Sequence, residues 1–106
     1  MGIDFAIDEL YATGWTADDP ASCPKHHDGR PIPSLDEVEA AFRDAGLELI
    51  VKHIQLFDCY RAEWWDATGG PGGAVVGQSA EEASVYALSQ LRRTLATHRH
   101  SAASPT

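Results

Sequence analysis

The sequence has little cysteine, few basic residues and no long apolar run. Its 106 residues include two cysteines, Cys23 and Cys59, which are too few for a disulfide framework. The apolar runs are far shorter than the roughly 20 residues that a membrane-spanning helix needs. Asp4, Asp8 and Glu9 lie where a secretory signal would carry basic residues. We therefore expect a cytoplasmic protein with no targeting segment and no membrane contact.

Basic residues are outnumbered by acidic ones. The chain has 16 Asp and Glu against 8 Lys and Arg, for a net charge of -8, and the basic residues are scattered along it. Nucleic acid repels such a chain unless one face of the fold concentrates positive charge. Nucleic acid is therefore a poor candidate partner.

The remaining composition is that of a globular domain, with 43% apolar and 23% charged residues. A chain of this length has room for one core. We predict a single α+β domain over residues 1–97. Residues 98–106 are polar and lack an apolar period, which predicts a disordered tail.

The first third of the domain predicts a short helix and then a long loop. Ile3, Ile7, Leu10 and Tyr11 form one helical stripe, and Gly14 can end the helix. Residues 16–33 contain four prolines and no sustained period, which is typical of a loop. Loops this long in compact domains are usually functional or mobile.

Two capping boxes mark the starts of two longer helices. Ser34 with Glu37 opens one, and Ser79 with Glu82 opens the other, which should end near Thr97. The predicted buried stripes are Leu35, Val38, Ala41, Phe42 and Ala45 in the first helix, and Ala83, Val85, Ala87, Leu88, Leu91 and Leu95 in the second.

Between these helices, alternating apolar residues predict three strands over residues 47–54, 59–65 and 74–76, with a turn near Phe57 and Asp58. The result is a three-stranded antiparallel sheet with two helices on one face, in the order α-β-β-β-α. The predicted core side of the sheet consists of Leu47, Leu49, Val51, Tyr60, Ala62 and Trp64.

This order, with Gly77 and Ser79 leading into the last helix, resembles the double-stranded RNA-binding-domain fold over residues 34–96. In that family, lysines at the start of the last helix grip phosphates. Here Glu81 and Glu82 stand at those positions, which removes the binding chemistry.

Residues 60–91 are also similar to the small HicB-type antitoxin domain. In that domain, strands precede a helix entry with the pattern Gly-x-Ser/Thr-x-x-Glu-Ala, matched here by Gly77, Ser79, Glu82 and Ala83. Any capping box that follows a glycine produces this pattern, so we carry over no functional residue from either family.

The loop contains one cluster with metal-ligand chemistry. Cys23 and His26 have the Cys-x-x-His spacing of zinc sites, and His27 is adjacent. Further ligands would have to come from His53, Cys59 or Asp28. The alternative is a polar loop that happens to hold histidines.

Cys59 could also act as a thiol nucleophile, with His53 as a base and Asp58 orienting it. A hairpin provides no helix N-terminus to lower the pKa of the thiol. A structural cysteine is the simpler interpretation.

The outer side of the predicted sheet mixes apolar and charged residues. Its candidate partner-binding residues are Ile50, Lys52, Ile54, Arg61, Glu63 and Trp65. An aromatic anchor inside a charged rim is typical of a protein interface. The alternative is that the N-terminal helix folds over this side and covers it.

We therefore expect a small non-enzymatic protein-binding or assembly domain that acts through the outer sheet side. Its partner would be another protein or a second copy in a homodimer. A zinc-type metal-binding module that uses Cys23, His26 and His27 is the alternative function.

Overall fold

The computed structural model describes residues 3–17, 21, 23–26, 28–66, 68 and 72–103. Its elements, in chain order, are α1 (Ile3–Ala12), α2 (Leu35–Asp44), β1 (Leu47–Ile54), a 3-10 turn (Gln55–Phe57), β2 (Cys59–Asp66), β3 (Gly73–Gly77) and α3 (Ala80–Ala103). The predicted α+β class is confirmed: a three-stranded antiparallel sheet with an N-terminal helix.

The three strands pair in sequence order, β1-β2-β3. Leu49 lies opposite Trp64, Val51 opposite Ala62, and Ala62 opposite Val75. Because side chains alternate across a strand, this register places these residues on one side of the sheet. That side packs into the hydrophobic core, as predicted.

Helix α3 lies at the centre of the molecule, between the sheet on one side and α1 on the other. The first half of α3 is therefore buried around most of its circumference, including its serines Ser84 and Ser89. Each of these hydroxyls donates to a carbonyl three residues earlier in the helix, which satisfies it without a partner from another element.

Helix α1 is fixed to α3 by apolar and polar contacts. Ala6, Ile7 and Leu10 are fully buried, and the Phe5 ring lies 5.9 Å from that of Tyr86. Arg92 donates to the Thr13 hydroxyl at 2.8 Å. The amphipathic stripe predicted for α1 thus faces α3.

The capping predictions hold for α2 and differ in part for α3. Both hydrogen bonds of the Ser34 and Glu37 capping box are present. At α3, the Glu82 amide donates to the Ser79 hydroxyl, but the buried Glu82 carboxylate accepts from the Gln78 amide rather than that of Ser79. The Glu82 carboxylate thus bonds one residue further back in the chain than in a standard capping box.

Two residues of the predicted stripes are exposed instead of buried, and α3 is longer than predicted. Leu35 is the first residue of α2, and Leu95 lies in the distal part of α3. At 24 residues α3 is about 36 Å long, and it reaches Ala103 rather than stopping near Thr97. Residues 104–106 of the predicted tail lie outside the described part of the chain.

The described part of the 16–33 loop contains a small irregular hairpin. Lys25 and Pro31 form an isolated bridge, and the Tyr11 hydroxyl donates to the Pro31 carbonyl at 2.6 Å. Arg30 reaches Asp8 of α1 at 2.7 Å, and Ile32 is buried in the core. The loop thereby packs against α1.

Among the described helices, none is long and apolar enough to cross a bilayer.

Candidate functional site

The outer sheet face is the side of the sheet opposite α2 and α3. Its residues are Glu48, Ile50, Lys52 and Ile54 of β1, Cys59, Arg61, Glu63 and Trp65 of β2, and Ala74 and Val76 of β3. All six residues predicted for partner binding lie on this face. The register of β1 and β2 brings these residues together: Lys52 lies opposite Arg61, and Ile50 lies opposite Glu63.

Large apolar side chains on the outer sheet face are open to solvent. The exposed fractions are 48% for Ile50, 37% for Trp65 and 53% for Val76. Helix α1 packs on α3, beyond the other side of the sheet, so the possibility that α1 covers this face is not realised. Exposed apolar residues gathered on one face mark interaction sites more often than single exposed residues do.

The charges of the outer sheet face are concentrated around one carboxylate. The Lys52 ammonium lies 2.8 Å from Glu63, and the Arg61 guanidinium lies 3.1 Å from it. The hydrogen bond from Lys52, together with the positive charges of both partners, lowers the pKa of Glu63. At neutral pH this centre therefore contains two cations and one anion, in a chain that is otherwise strongly acidic.

The turn between β1 and β2 exposes two further apolar side chains that the sequence reasoning missed. Leu56 is 84% exposed and Phe57 is 72% exposed. Asp58, in the left-handed region at φ 47°, ends this turn, and its carboxylate lies 3.1 Å from His53. The sequence feature that could have identified this exposed pair is the presence of two large apolar residues inside a predicted turn, where small and polar residues are the rule.

The candidate metal ligands Cys23 and His26 are both buried, and each contacts a carboxylate. The Cys23 thiol lies 3.7 Å from a Glu37 oxygen, and the His26 ring bonds to Asp4 of α1. His27 lies outside the described residues. Within the described part of the chain, no three His, Cys, Asp or Glu side chains gather as they would around a metal ion.

His53 and Cys59 lie on opposite sides of the sheet. The His53 ring stacks 4.8 Å from that of Tyr60, which faces the core side. Cys59 lies opposite Ile54, on the outer sheet face. Strand alternation therefore separates the thiol from the imidazole that could have activated it.

Comparison with protein-family models, curated proteins and solved structures finds no match for this chain. The resemblances to the double-stranded RNA-binding domain and the HicB-type antitoxin domain thus stay predictions. Of the two acids at the start of α3, Glu81 is exposed and Glu82 is turned inward as a cap.

Proposed function

We propose that this chain is a non-catalytic assembly domain that pairs with a second copy of itself through the outer sheet face. The observation that carries the proposal is the exposure of Ile50, Trp65 and Val76 on a face that no described helix covers. Burying apolar surface of this kind is the main favourable term in protein association.

The order of charges along the strands supports a second copy as the partner. The outer sheet face consists of four cross-strand rows, which are Glu48 with Trp65, Ile50 with Glu63 and Ala74, Lys52 with Arg61 and Val76, and Ile54 with Cys59. The acidic residues thus occupy the first two rows, and the basic residues occupy the third.

A two-fold axis through the centre of the face makes this pattern complementary to itself. When this axis lies in the plane of the face and perpendicular to the strands, Arg61 of one copy faces Glu63 of the other, and the row of Ile54 and Cys59 faces the row of Glu48 and Trp65. Such a two-fold contact uses the same patch on both copies and closes on itself. The rest of the surface is strongly acidic and repels a second copy, which favours contact through this face.

The size of the outer sheet face determines how tightly two copies of the chain are expected to associate. With strands about 4.8 Å apart and four rows of residues, the footprint is roughly 300 Å² per copy. Stable complexes bury about 800 Å² per partner. We therefore expect weak, concentration-dependent pairing, with a dissociation constant above about 10 μM.

Replacing Trp65 with glutamate is expected to make the chain monomeric at every accessible concentration. The change removes the aromatic anchor and places a carboxylate opposite the row of Cys59 and Ile54 of the second copy, where it would be buried without a partner. Sedimentation velocity over a concentration series measures the monomer fraction. Circular dichroism and thermal melting verify that the variant is folded.

Ala12→Glu is the matched control, because it adds the same charge at an exposed position at the end of α1, the helix that packs on α3. This variant should pair as the unchanged chain does. If the unchanged chain stays monomeric up to millimolar concentration, or if Trp65→Glu pairs with undiminished affinity, the proposed function is wrong.

A further inference from the structure

A long groove runs along the free edge of β3, between this strand and α3. It has two lobes, which share Val75 and Gln90. The first lobe, of about 510 Å³, lies beneath the rings of Phe5 and Tyr86. The second, of about 700 Å³, starts at β3 and extends beneath the end of the sheet past Trp64 to Leu47 of β1, with the distal part of α3 as its other wall. We refer to both lobes together as the β3-edge groove.

One wall of the β3-edge groove is an open strand edge. Strand β3 pairs with β2 on one side, and no described strand pairs with it on the other. In an antiparallel ladder, alternate residues direct both N–H and C=O toward one neighbour, so the other residues of β3 direct theirs outward. Gly73–Gly77 thus offers an edge about 17 Å long to which another strand could bond.

The first lobe is mostly apolar, the second lobe is mixed, and both carry acidic residues. Carboxylates of Glu9, Glu82 and Asp66 contribute to their walls, and none of the described residues that line either lobe is a lysine or arginine. Glu9 pairs with Arg93, which lies outside the lining, at 2.7 Å. A ligand with basic groups would therefore be favoured over an acidic one.

The first lobe also contains a hydrogen-bonding group without a partner. The Tyr86 hydroxyl is buried, and no described residue bonds to it. Burial and the nearby charges of Glu82 and Glu9 raise the pKa of Tyr86, so the hydroxyl keeps its proton and can donate. A buried polar group that lacks a partner is costly, and a small rotation of the Tyr86 ring that lets the hydroxyl reach a ligand carbonyl would relieve this cost.

We propose that the β3-edge groove binds an extended peptide segment, rich in basic and apolar residues, which adds to the sheet as a fourth strand. The backbone of the segment bonds to the outward groups of β3. Its apolar side chains fill the lobes, and its basic side chains meet the carboxylates of Glu9 and Asp66. This mode of recognition combines main-chain hydrogen bonds for affinity with side-chain pockets for specificity. The groove borders the outer sheet face at Cys59 and Val76, but Trp65 is absent from its lining.

The test uses two blocked synthetic peptides of about eight residues, long enough to span the edge. One has arginine and valine in turn at every second position, with serine between them, so that both side chains face the groove, and the other has glutamate in place of arginine. We expect the arginine peptide to bind and to slow hydrogen exchange at the outward β3 amides by at least about tenfold, because those amides gain hydrogen bonds. The Trp65→Glu variant should bind it equally well.

Three outcomes would overturn the proposal. The arginine peptide could fail to bind, it could bind without protecting any β3 amide, or the two peptides could bind with equal affinity. If the peptide slowed hydrogen exchange at the outer edge of β1 and not at β3, the proposal would likewise be overturned.

A pair of substitutions at Gln90 tests the charge preference without removing a described contact. Because Gln90 lines both lobes, Gln90→Lys should weaken binding of the arginine peptide about threefold to fivefold, and Gln90→Glu should strengthen it by a similar factor. Both variants should melt within a few degrees of the unchanged chain. Equal affinity in the two variants would contradict peptide binding in this groove.

Discussion

Replacing Phe42 with alanine is expected to lower the free energy of unfolding by about 3–5 kcal/mol. Phe42 is fully buried on α2, and its ring lies 5.4 Å from that of Trp64 on β2. The substitution removes apolar contacts and leaves a cavity between the helix layer and the sheet, which the surrounding structure can fill only in part. Urea denaturation followed by circular dichroism measures the effect.

Phe57→Ala is the matched control, because the same atoms are removed from a ring that is largely in solvent. Its cost should be within about 0.5 kcal/mol. If the two variants lose equal stability, then Phe42 does not join α2 to the sheet in solution. Phe57→Ala also reports on the turn, since a change in self-association would show that the turn contributes to pairing.

Features of the fold that depend on near neighbours in the chain could be predicted from the sequence. The Ser34 and Glu37 capping box involves residues three apart, and it marks the start of α2 correctly. Strand alternation places the core side and the outer side of the sheet correctly for the same reason. Each of these patterns is a local rule that tertiary contacts then reinforce.

The position of α1 could not be predicted, because two apolar surfaces were available to its stripe. The outer sheet face and the exposed side of α3 both offered a place to bury Ile7 and Leu10. The structure uses α3, where small residues such as Ala83 and Ala87 allow packing on both sides of the helix. Periodicity shows that a helix has an apolar face and does not show what covers it.

The candidate sites also differ in whether neighbouring positions in the sequence could predict them. Six residues of the outer sheet face were predicted, because alternation alone places them together. The β3-edge groove was missed, since it joins α1, β3 and α3, and no spacing in the sequence relates Phe5 to Val75 or Tyr86. The exposed pair Leu56 and Phe57 was missed for a different reason: the segment was interpreted only as a turn.

Replacing Gly77 with alanine is expected to destabilise the fold by about 3 kcal/mol or more. Gly77 ends β3 where the chain turns into α3, and an added Cβ would lie 2.7 Å from the Ala83 nitrogen and 3.0 Å from Cγ of Glu82. The nearest obstacle is backbone, so relief requires α3 to move away from the sheet. Thermal melting measures the loss, and hydrogen exchange at the first turn of α3 should locate it.

Gly46→Ala separates this steric effect from the ordinary cost of losing a glycine. Gly46 has φ +79°, with nothing within 4 Å of an added Cβ, so its substitution costs only backbone strain of about 1–2 kcal/mol. Gly77 lacks the positive φ, and its cost comes from the close approach alone. We therefore expect Gly77→Ala to be the more damaging change. The reverse order would mean that α3 does not pack against the end of β3, and the first lobe of the β3-edge groove would then lose the wall that gives it its shape.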